Sequence, residues 1–420
     1  MKEKKSIFGI LMDNRHRSRT ISYTMVAVAY IVLEILLKTG NLSSLFTGLL
    51  VPATCYLVAA IGLNLNVGVS GELNLGQAGF MAVGAFSGVC VSGLLKASVP
   101  AIPRLILAII VGMLLTAFIG FLIGIPVLKL QGDYLAIVTL AFGQIVMNLI
   151  MNLYVAFDST GLKVAFVENN FELQPGGKYL INGPMGATGT QKIANFTVGI
   201  ILVIIALFVV YNLMFSRSGR AIMAARDNRI AAESVGIPIS RTKMLAFVTS
   251  AALAGAAGAL YGLNYSTLVP NKFDFNTSIL ILVYVVLGGL GNMTGTIIST
   301  VVLILLPELL RSLQDYRMLI YAVILISIML ISNNENMKVT AERLKKKLKD
   351  AEKTAWDAAL TLRKNRQLTA KELSKRILTE LAQLDMPRVQ FSCEFTELEL
   401  AATGADAVAF YMSANAGEAL

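Results

Sequence analysis

Long apolar runs separated by short polar stretches dominate the pattern of residues 21–332. Runs of about 17–25 apolar residues are typical of transmembrane helices. Ten candidates lie near 21–38, 44–66, 73–95, 105–128, 133–152, 194–214, 243–263, 276–292, 294–312 and 317–332. The third and eighth are rich in glycine, as broken or re-entrant segments are, and such breaks are tolerated only inside protein or beside a cavity. The pattern therefore predicts an all-α polytopic membrane protein of 8–10 transmembrane helices with broken or re-entrant Gly-rich segments.

Composition supports a membrane protein and excludes several classes of site. Hydrophobic residues make up 55% of the chain and charged residues 15%, against about 25% charged residues in soluble domains. Mean hydropathy is +0.68. His16 is the single histidine, and Cys55, Cys90 and Cys393 lie far apart. We expect no metal site, no cofactor and no catalytic residues, and the chain lacks the GxxxxGK[ST] phosphate loop, so it is not predicted to be an enzyme.

Basic residues set the expected orientation. The net charge of +10 in a membrane protein indicates cytoplasmic loops rather than specific nucleic-acid binding. Residues 1–20 form a basic N-terminus, and the loop 215–242 carries a second basic cluster. Both should be cytoplasmic. Six predicted spans lie between them, and an even number of spans returns the chain to the same side of the membrane. The loop 153–193 then faces outside, the first run stays as an anchor, and both termini of the chain are cytoplasmic.

The polar segment 219–237 predicts two short helices. Residues 219–226 and 229–235 are good helix formers, and Asp227 and Asn228 between them favour a turn and an N-cap. Gly236 is placed as the residue after the second helix, and Pro238 follows as a stop. Short helices are marginal alone, so we expect the pair to pack on a cytoplasmic partner. A solvated loop remains the alternative.

Polar residues occur among the glycines of residues 62–88. Lipid would penalise these side chains, so they should face protein or a cavity. Helix packing through small residues is the alternative explanation for the glycines. The candidate translocation path comprises Asn64, Asn66, Ser70, Asn74, Gly76, Gln77 and Gly79.

Five ordered blocks carry a resemblance to a known family. They are "GLNLNVGVSGELNLGQAGFMAVGAFSG" (62–88), "LQGDYLAIVTLAFGQIV" (130–146), "INGPMGATGT" (181–190), "GRAIMAARDNRIAAESVGIPISRTKMLAFVTSAALAGAAGALYG" (219–262) and "LGGLGNMTGTIIST" (287–300). Together they resemble the LivM-type permeases, the membrane subunits of bacterial ABC importers for branched-chain amino acids. The resemblance extends over roughly residues 15–332, with a permease domain at 21–332.

The resemblance implies partners, and it assigns the loop 215–242 to ATPase coupling. An ABC ATPase subunit would bind ATP and dock there, a second permease subunit would form a heterodimer, and an external solute-binding protein would deliver the small amino-acid substrate. The small alanines would allow close approach, Gly236 a sharp turn, and two arginines would pair with ATPase carboxylates. The implied coupling residues are Arg220, Arg226, Asp227, Ala231, Ala232, Glu233 and Gly236.

Alternatives remain for the transported substrate and for the energy source. Related permeases carry urea or short amides. An ion-coupled secondary transporter usually has ionisable residues at membrane depth, and here Glu34 lies well inside a span, with Glu308 near the end of another. An ABC permease of the bacterial inner membrane, embedded in the lipid bilayer, is the favoured interpretation.

Residues 333–420 change character and predict a soluble α+β fragment. A charged helix is expected at 338–365, a second one opened by a capping box from Thr369 to Glu372, and short strands beyond Pro387. "LSKRILTELAQLDMPRVQFSCEF" (373–395) and "GADAVAFYMSANAGEAL" (404–420) resemble RecN-type DNA repair ATPases, at the end of their coiled-coil arm. The resemblance implies a fragment without ATPase activity, joined by fusion or frameshift, although a regulatory tail is also conceivable. We expect it to be dispensable for transport and its strands to be poorly covered.

Overall fold

A computed structural model describes most of the chain, in two compact units. The described residues are 14–40, 43–96, 98–130, 132–158, 161–167, 177–310, 316–383, 389–401 and 404–413. Lys2, Lys4 and Lys5 of the basic N-terminus therefore lie outside the described residues. The units are Met1–Leu325 and Ile326–Leu420, and each is described separately.

The first unit is a bundle of apolar helices, which confirms the predicted fold class. Seven of the described helices are long and apolar enough to cross a membrane. Two shorter apolar helices, of 14 and 17 residues, occupy the predicted spans at 276–292 and 294–312. The helices are α1 (Asn14–Lys38), α2 (Ser44–Asn64), α3 (Gln77–Leu94), α4 (Ala101–Val127), α5 (Asp133–Met151), α6 (Phe196–Phe215), α7 (Arg217–Asp227), α8 (Arg229–Ser234), α9 (Ile239–Gly262), α10 (Phe275–Gly288) and α11 (Met293–Leu309).

Both Gly-rich segments contain breaks, as the sequence predicts. Helix α2 continues into a π-helical turn at Leu65–Val69, and regular helix resumes only at Gln77. The predicted span at 73–95 is therefore helical only in its later part. Helix α10 ends at Gly288, and Gly289 and Gly291 take positive φ values of 90° and 80° before α11 begins. Such φ values favour glycine, which has no Cβ to clash.

Helix α9 runs through the centre of the unit and is packed by glycines. A Cβ on Gly84 of α3 would lie 2.0 Å from the carbonyl oxygen of Gly255 in α9. A Cβ on Gly255 would in turn lie 2.3 Å from the Thr116 hydroxyl of α4. Small residues let helix backbones approach closely in membrane proteins. The three helices α3, α4 and α9 are thus held together at backbone contact distance.

The outer faces of the bundle are apolar. Exposed aliphatic and aromatic side chains recur along α4, where water would disfavour a patch of this size. They include Ile106, Ile110, Leu114, Phe118 and Leu122. This surface suits the hydrocarbon core of a bilayer, in agreement with the seven apolar helices.

Strands connect the helices at the end of the bundle away from α7 and α8. The segment predicted as a loop at 153–193 contains β1 (Leu153–Asp158), β2 (Gly161–Phe166), β3 (Lys178–Asn182) and β4 (Ala187–Thr188). The first three form an antiparallel sheet in the order β2-β1-β3, and β4 pairs with β5 (Thr267–Leu268). The sequence analysis predicted a connecting loop here and did not predict the short strands within it.

The tail differs from its prediction in one respect. A single helix, α12 (Arg317–Gln383), replaces the two helices expected at 338–365 and 369–384. The Thr369 hydroxyl donates to the Asn365 carbonyl oxygen at 3.0 Å, so it bonds within a continuing helix and caps no new one. Residue 384 and Pro387 lie outside the described residues.

The second unit contains the predicted strands as a hairpin. β6 (Gln390–Ala401) pairs antiparallel with β7 (Gly404–Ser413). Arg366 of α12 forms a salt bridge of 3.0 Å with Asp406, whose side chain is fully buried, and Ala370 and Val389 are buried as well. The helix therefore packs on part of the hairpin, while Phe410 and Met412 stay 60% and 62% exposed.

The close approach of α3 and α9 gives a test of the bundle. Gly84→Val should lower the free energy of unfolding by about 3 kcal/mol or more, because the added atoms meet backbone that cannot move aside. The matched control is Gly48→Val in α2, where an added Cβ has no atom within 4 Å. Thermal unfolding of the two purified variants in detergent compares them. Equal melting temperatures would show that the glycine contact is not needed.

Candidate functional site

The two short helices α7 and α8 form as the sequence predicts, and each has a side-chain cap. The Ser216 hydroxyl accepts from the Gly219 amide at 3.0 Å, and the Asn228 side chain accepts from the Ala231 amide at 3.0 Å. Such caps satisfy backbone donors that lack a partner within the helix. Gly236 follows with φ at 84°, which is the left-handed conformation expected for it.

The helix pair α7–α8 has a buried face and an exposed face. Ile222, Ala225 and Ala232 are buried. In contrast, Ile230 is 81% exposed and Val235 is 75% exposed. Ala231, Glu233 and Gly236 are exposed on the same helix and the turn after it. The exposed face therefore presents apolar and small residues beside charged ones.

Both arginines proposed to contact an ATPase bond within this chain. Arg226 donates through Nη1 to the Gly68 carbonyl oxygen at 2.9 Å, and through Nε and Nη2 to Asp227 Oδ1 at 3.0 and 2.9 Å. Arg220 donates to the Phe215 carbonyl oxygen at 3.2 Å. The Arg226 side chain thus reaches the π-helical turn after α2, and its contact with an ATPase stays a prediction.

The polar break, defined as residues 65–76, lies directly against this helix pair. Gly71 takes φ of 74°, and a Cβ there would lie 2.6 Å from Cγ of Arg226. Glu72 forms a partly buried salt bridge with Lys243 at the start of α9. A cavity of about 340 Å³ separates parts of the two segments and is lined by both. Two charge-assisted contacts therefore join the helix pair and α9 to the break.

Asn64 links the start of the break to the turn between α10 and α11. Its amide donates to the Thr296 hydroxyl at 2.8 Å, and its oxygen accepts from the Gly291 amide at 2.8 Å. A Cβ on Gly68 would lie 2.1 Å from the Gly291 nitrogen. The two broken segments found in the sequence thus meet in space, which the sequence did not reveal.

The later path candidates are bonded into the packing. Gln77 donates to the Ala59 carbonyl oxygen at 3.1 Å, and Asn74 accepts from the Gly76 amide at 2.9 Å. A Cβ on Gly76 would lie 2.4 Å from the Thr139 carbonyl oxygen. At Gly79 an added Cβ would lie 2.8 Å from the Cα of Gly143, again a packing contact.

Asn66 and Ser70 differ from the other candidates. Both are buried, yet neither the Asn66 amide nor the Ser70 hydroxyl has a hydrogen-bond partner within the part of the chain that the structure describes. Buried polar groups are normally paired, and each exception calls for an explanation. These two side chains are the path candidates that remain available to water or to a ligand.

Sequence reasoning missed Glu72 and Thr139 as parts of the site. The Thr139 hydroxyl accepts from the Leu75 amide at 3.0 Å, and Glu72 is buried against Lys243. An acidic residue inside an apolar, Gly-rich run was the available signal for Glu72. Among the described residues, no group of three metal-ligating side chains comes together.

Comparisons with known proteins agree with the helical architecture. Residues 45–331 match the family described as the permease component of branched-chain amino acid transport systems. The high-affinity branched-chain amino acid transport system permease protein LivM of Salmonella typhimurium is 35% identical over 244 residues, which cover 56% of this chain and 57% of that protein. The LivM protein of Escherichia coli is 34% identical over 244 residues, with the same coverage of both chains.

More distant relatives differ in what they are named for. The fructose import permease protein FruG of Bifidobacterium longum is 32% identical over 129 residues, 28% of this chain and 37% of that protein. The chain spans about half, 57%, of the length of the LivM proteins it matches. No solved structure matches it. The family match includes most of the apolar bundle, and the chain therefore belongs to the permease-component family of branched-chain amino acid transport systems.

Proposed function

We propose that the chain is the membrane subunit of an ATP-driven importer for branched-chain amino acids. Two LivM proteins share 35% and 34% identity with it, and this similarity supports the substrate class. A separate ABC ATPase binds ATP, a second permease subunit completes the pathway, and an external solute-binding protein delivers the amino acid. The membrane is the bacterial inner membrane, with both termini and the α7–α8 end in the cytoplasm.

The exposed face of α7–α8 is the proposed docking site for the ATPase. Ile230 and Val235 lie on it at 81% and 75% exposure, so two aliphatic side chains of this short segment are accessible to a partner. The salt bridge between Arg229 and Glu233 is 3.5 Å long and exposed, so it does not occupy the apolar residues. Apolar anchors with a charged rim are typical of protein interfaces.

The contact between Arg226 and Gly68 is the observation that carries the mechanism. A loop that only faced solvent would not be expected to hydrogen-bond a guanidinium to a backbone carbonyl of a broken transmembrane segment. A shift of α7–α8 towards the ATPase pulls directly on the π-helical turn through this 2.9 Å bond. The partly buried salt bridge of Glu72 with Lys243 holds the same break to α9. ATP-driven movement thereby reaches the polar break.

Asn66 and Ser70 supply the proposed polar lining of the path. Their side chains are buried and have no hydrogen-bond partner among the residues that the structure describes. Leaving a buried polar group without a hydrogen bond costs about 1–3 kcal/mol. A conformation that hydrates these two side chains, or offers them a ligand, is therefore favoured by that free energy for each group. Movement of the break would expose them to the pathway.

The first test concerns energy coupling. Reconstituted with its ATPase, second permease subunit and binding protein, the chain should support leucine uptake only when ATP is inside the vesicles. Uptake of radiolabelled leucine is measured with ATP, with a non-hydrolysable analogue, and with a proton or sodium gradient. Gradient-driven uptake without ATP would identify a secondary transporter, and competition by urea or acetamide but not isoleucine would identify an amide permease.

A second test concerns docking. Ile230→Glu should weaken capture of the ATPase by about tenfold or more, because it places a charge in an apolar contact, while the melting temperature stays unchanged. The control is Asn271→Glu, which adds the same charge at an exposed position in the 3-10 turn Pro270–Phe273, beyond the opposite end of α9. Pull-down with purified ATPase measures both. Equal capture would remove α7–α8 from the interface.

A third test separates transmission from docking. Gly71→Ala and Gly40→Ala place alanine at nearly equal φ values, 74° and 70°, so backbone strain is matched. Only the alanine at 71 meets Arg226, since position 40 has no atom within 4 Å of an added Cβ. Gly71→Ala should keep ATPase binding and hydrolysis but lower leucine uptake per ATP by at least about fivefold. Equal uptake by the two variants would show that the Arg226 contact does not transmit movement.

A further inference from the structure

A second cavity lies at the end of the bundle opposite to α7–α8. It has a volume of about 410 Å³, within the range of small-molecule sites. The end of α3, the start of α4, β3 and residues 188–191 enclose it. Helix α9 fixes its position, because α9 begins beside α8 and ends next to Leu263 in the cavity wall.

Arg104 is the unusual residue of this cavity. It is 3% exposed and donates through Nη2 to Gln191 Oε1 at 2.7 Å. Its buried Nε has no hydrogen-bond partner among the described residues. It lies in the first turns of α4, where the helix dipole disfavours a cation. A buried guanidinium bonded only to a neutral amide is costly, so helix stability does not account for it.

No described acidic group balances this charge. Lys96 and Lys178 also line the cavity, together with uncharged residues. Among the salt bridges of the described residues, none involves either lysine or Arg104. Burial raises the pKa of the Tyr265 hydroxyl behind the wall, so that phenol stays neutral. The described lining of the cavity therefore carries three cationic side chains and no carboxylate.

We propose that this cavity binds the carboxylate of a small molecule with a branched aliphatic tail. The carboxylate lies against Arg104 between the two lysines, and a guanidinium matches carboxylate geometry with two parallel donors. The apolar wall of Val89, Leu180 and Leu263 receives the tail.

The inference rests on the proposed function, since it makes the cavity a first stop for the transported amino acid. It also goes further. The described lining of the cavity contains no carboxylate, so it offers an ammonium group only neutral oxygen acceptors and no opposite charge. The 2-oxo acid that lacks the ammonium should bind at least as tightly as the amino acid, and the amine that lacks the carboxylate should not bind.

The experiment is a binding titration on the full chain in lipid nanodiscs, without ATPase or binding protein. The probes are leucine, 4-methyl-2-oxopentanoate and isoamylamine, measured by calorimetry and by mutual competition. We expect the two carboxylates to compete for one site and the amine to show no heat. Arg104→Gln should lower the affinity for both carboxylates by about tenfold or more. Lys272→Gln removes the same charge outside the cavity and should leave both affinities unchanged.

Exposed lysines keep the test independent of folding. The double variant Lys96→Gln and Lys178→Gln leaves the buried residues intact and should weaken carboxylate binding by about threefold or more. Its carboxylate affinity should also depend less on salt concentration than that of the unsubstituted chain. Equal affinity of the amine, or unchanged affinity in folded Arg104→Gln and in the double lysine variant, overturns the inference. If leucine uptake is driven by ATP but the isolated chain binds no carboxylate, the inference about the cavity is wrong and the proposed function stands. If the chain binds carboxylates but ATP drives no uptake, the proposed function is wrong and the binding site stands.

Discussion

A backbone that leaves the helix at membrane depth must find its hydrogen-bond partners inside the protein, because lipid offers none. This constraint organises the polar break. The Leu75 amide donates to Thr139, and the Ala78 amide donates to Ser278 at 3.1 Å. Side chains from α5 and α10 thus replace the missing turns of helix. The surrounding helices must stay close to satisfy them, which explains why the break is enclosed on several sides.

The same constraint makes the break a natural place to receive movement. A regular helix transmits displacement along its axis but resists bending, whereas a segment bonded through side chains can exchange one set of partners for another. Arg226 reaches the carbonyl of Gly68, one of the acceptors left available by the wider turn. The guanidinium therefore satisfies the backbone and connects it to the surface in a single contact. Proteins convert small shifts into discrete changes through such alternative arrangements.

Local features were predicted from sequence far better than long-range ones. Asn228 as a cap and Gly236 in a left-handed conformation follow from neighbouring residues alone, and both were predicted correctly. The pairing of Asn64 with Gly291, or of Glu72 with Lys243, depends on how distant helices pack, and periodicity carries no such information. At Thr369 a local pattern gave a wrong prediction. Its capping pattern predicts a helix start, but the helical turns on both sides of it outweigh that pattern. The strands at 153–193 were missed because each is only a few residues long.

The π-helical turn has a consequence for how this permease can change over evolutionary time. Such a turn holds one residue more than an α-helical turn of the same span, and here the Ser70 amide bonds back to the Leu65 carbonyl oxygen at 3.1 Å. Point substitutions alter side chains but leave the residue count intact. The irregularity is therefore buffered against most mutations and is erased in one step by deleting a single codon. It behaves as an insertion fixed in the length of the gene rather than in the identity of its residues.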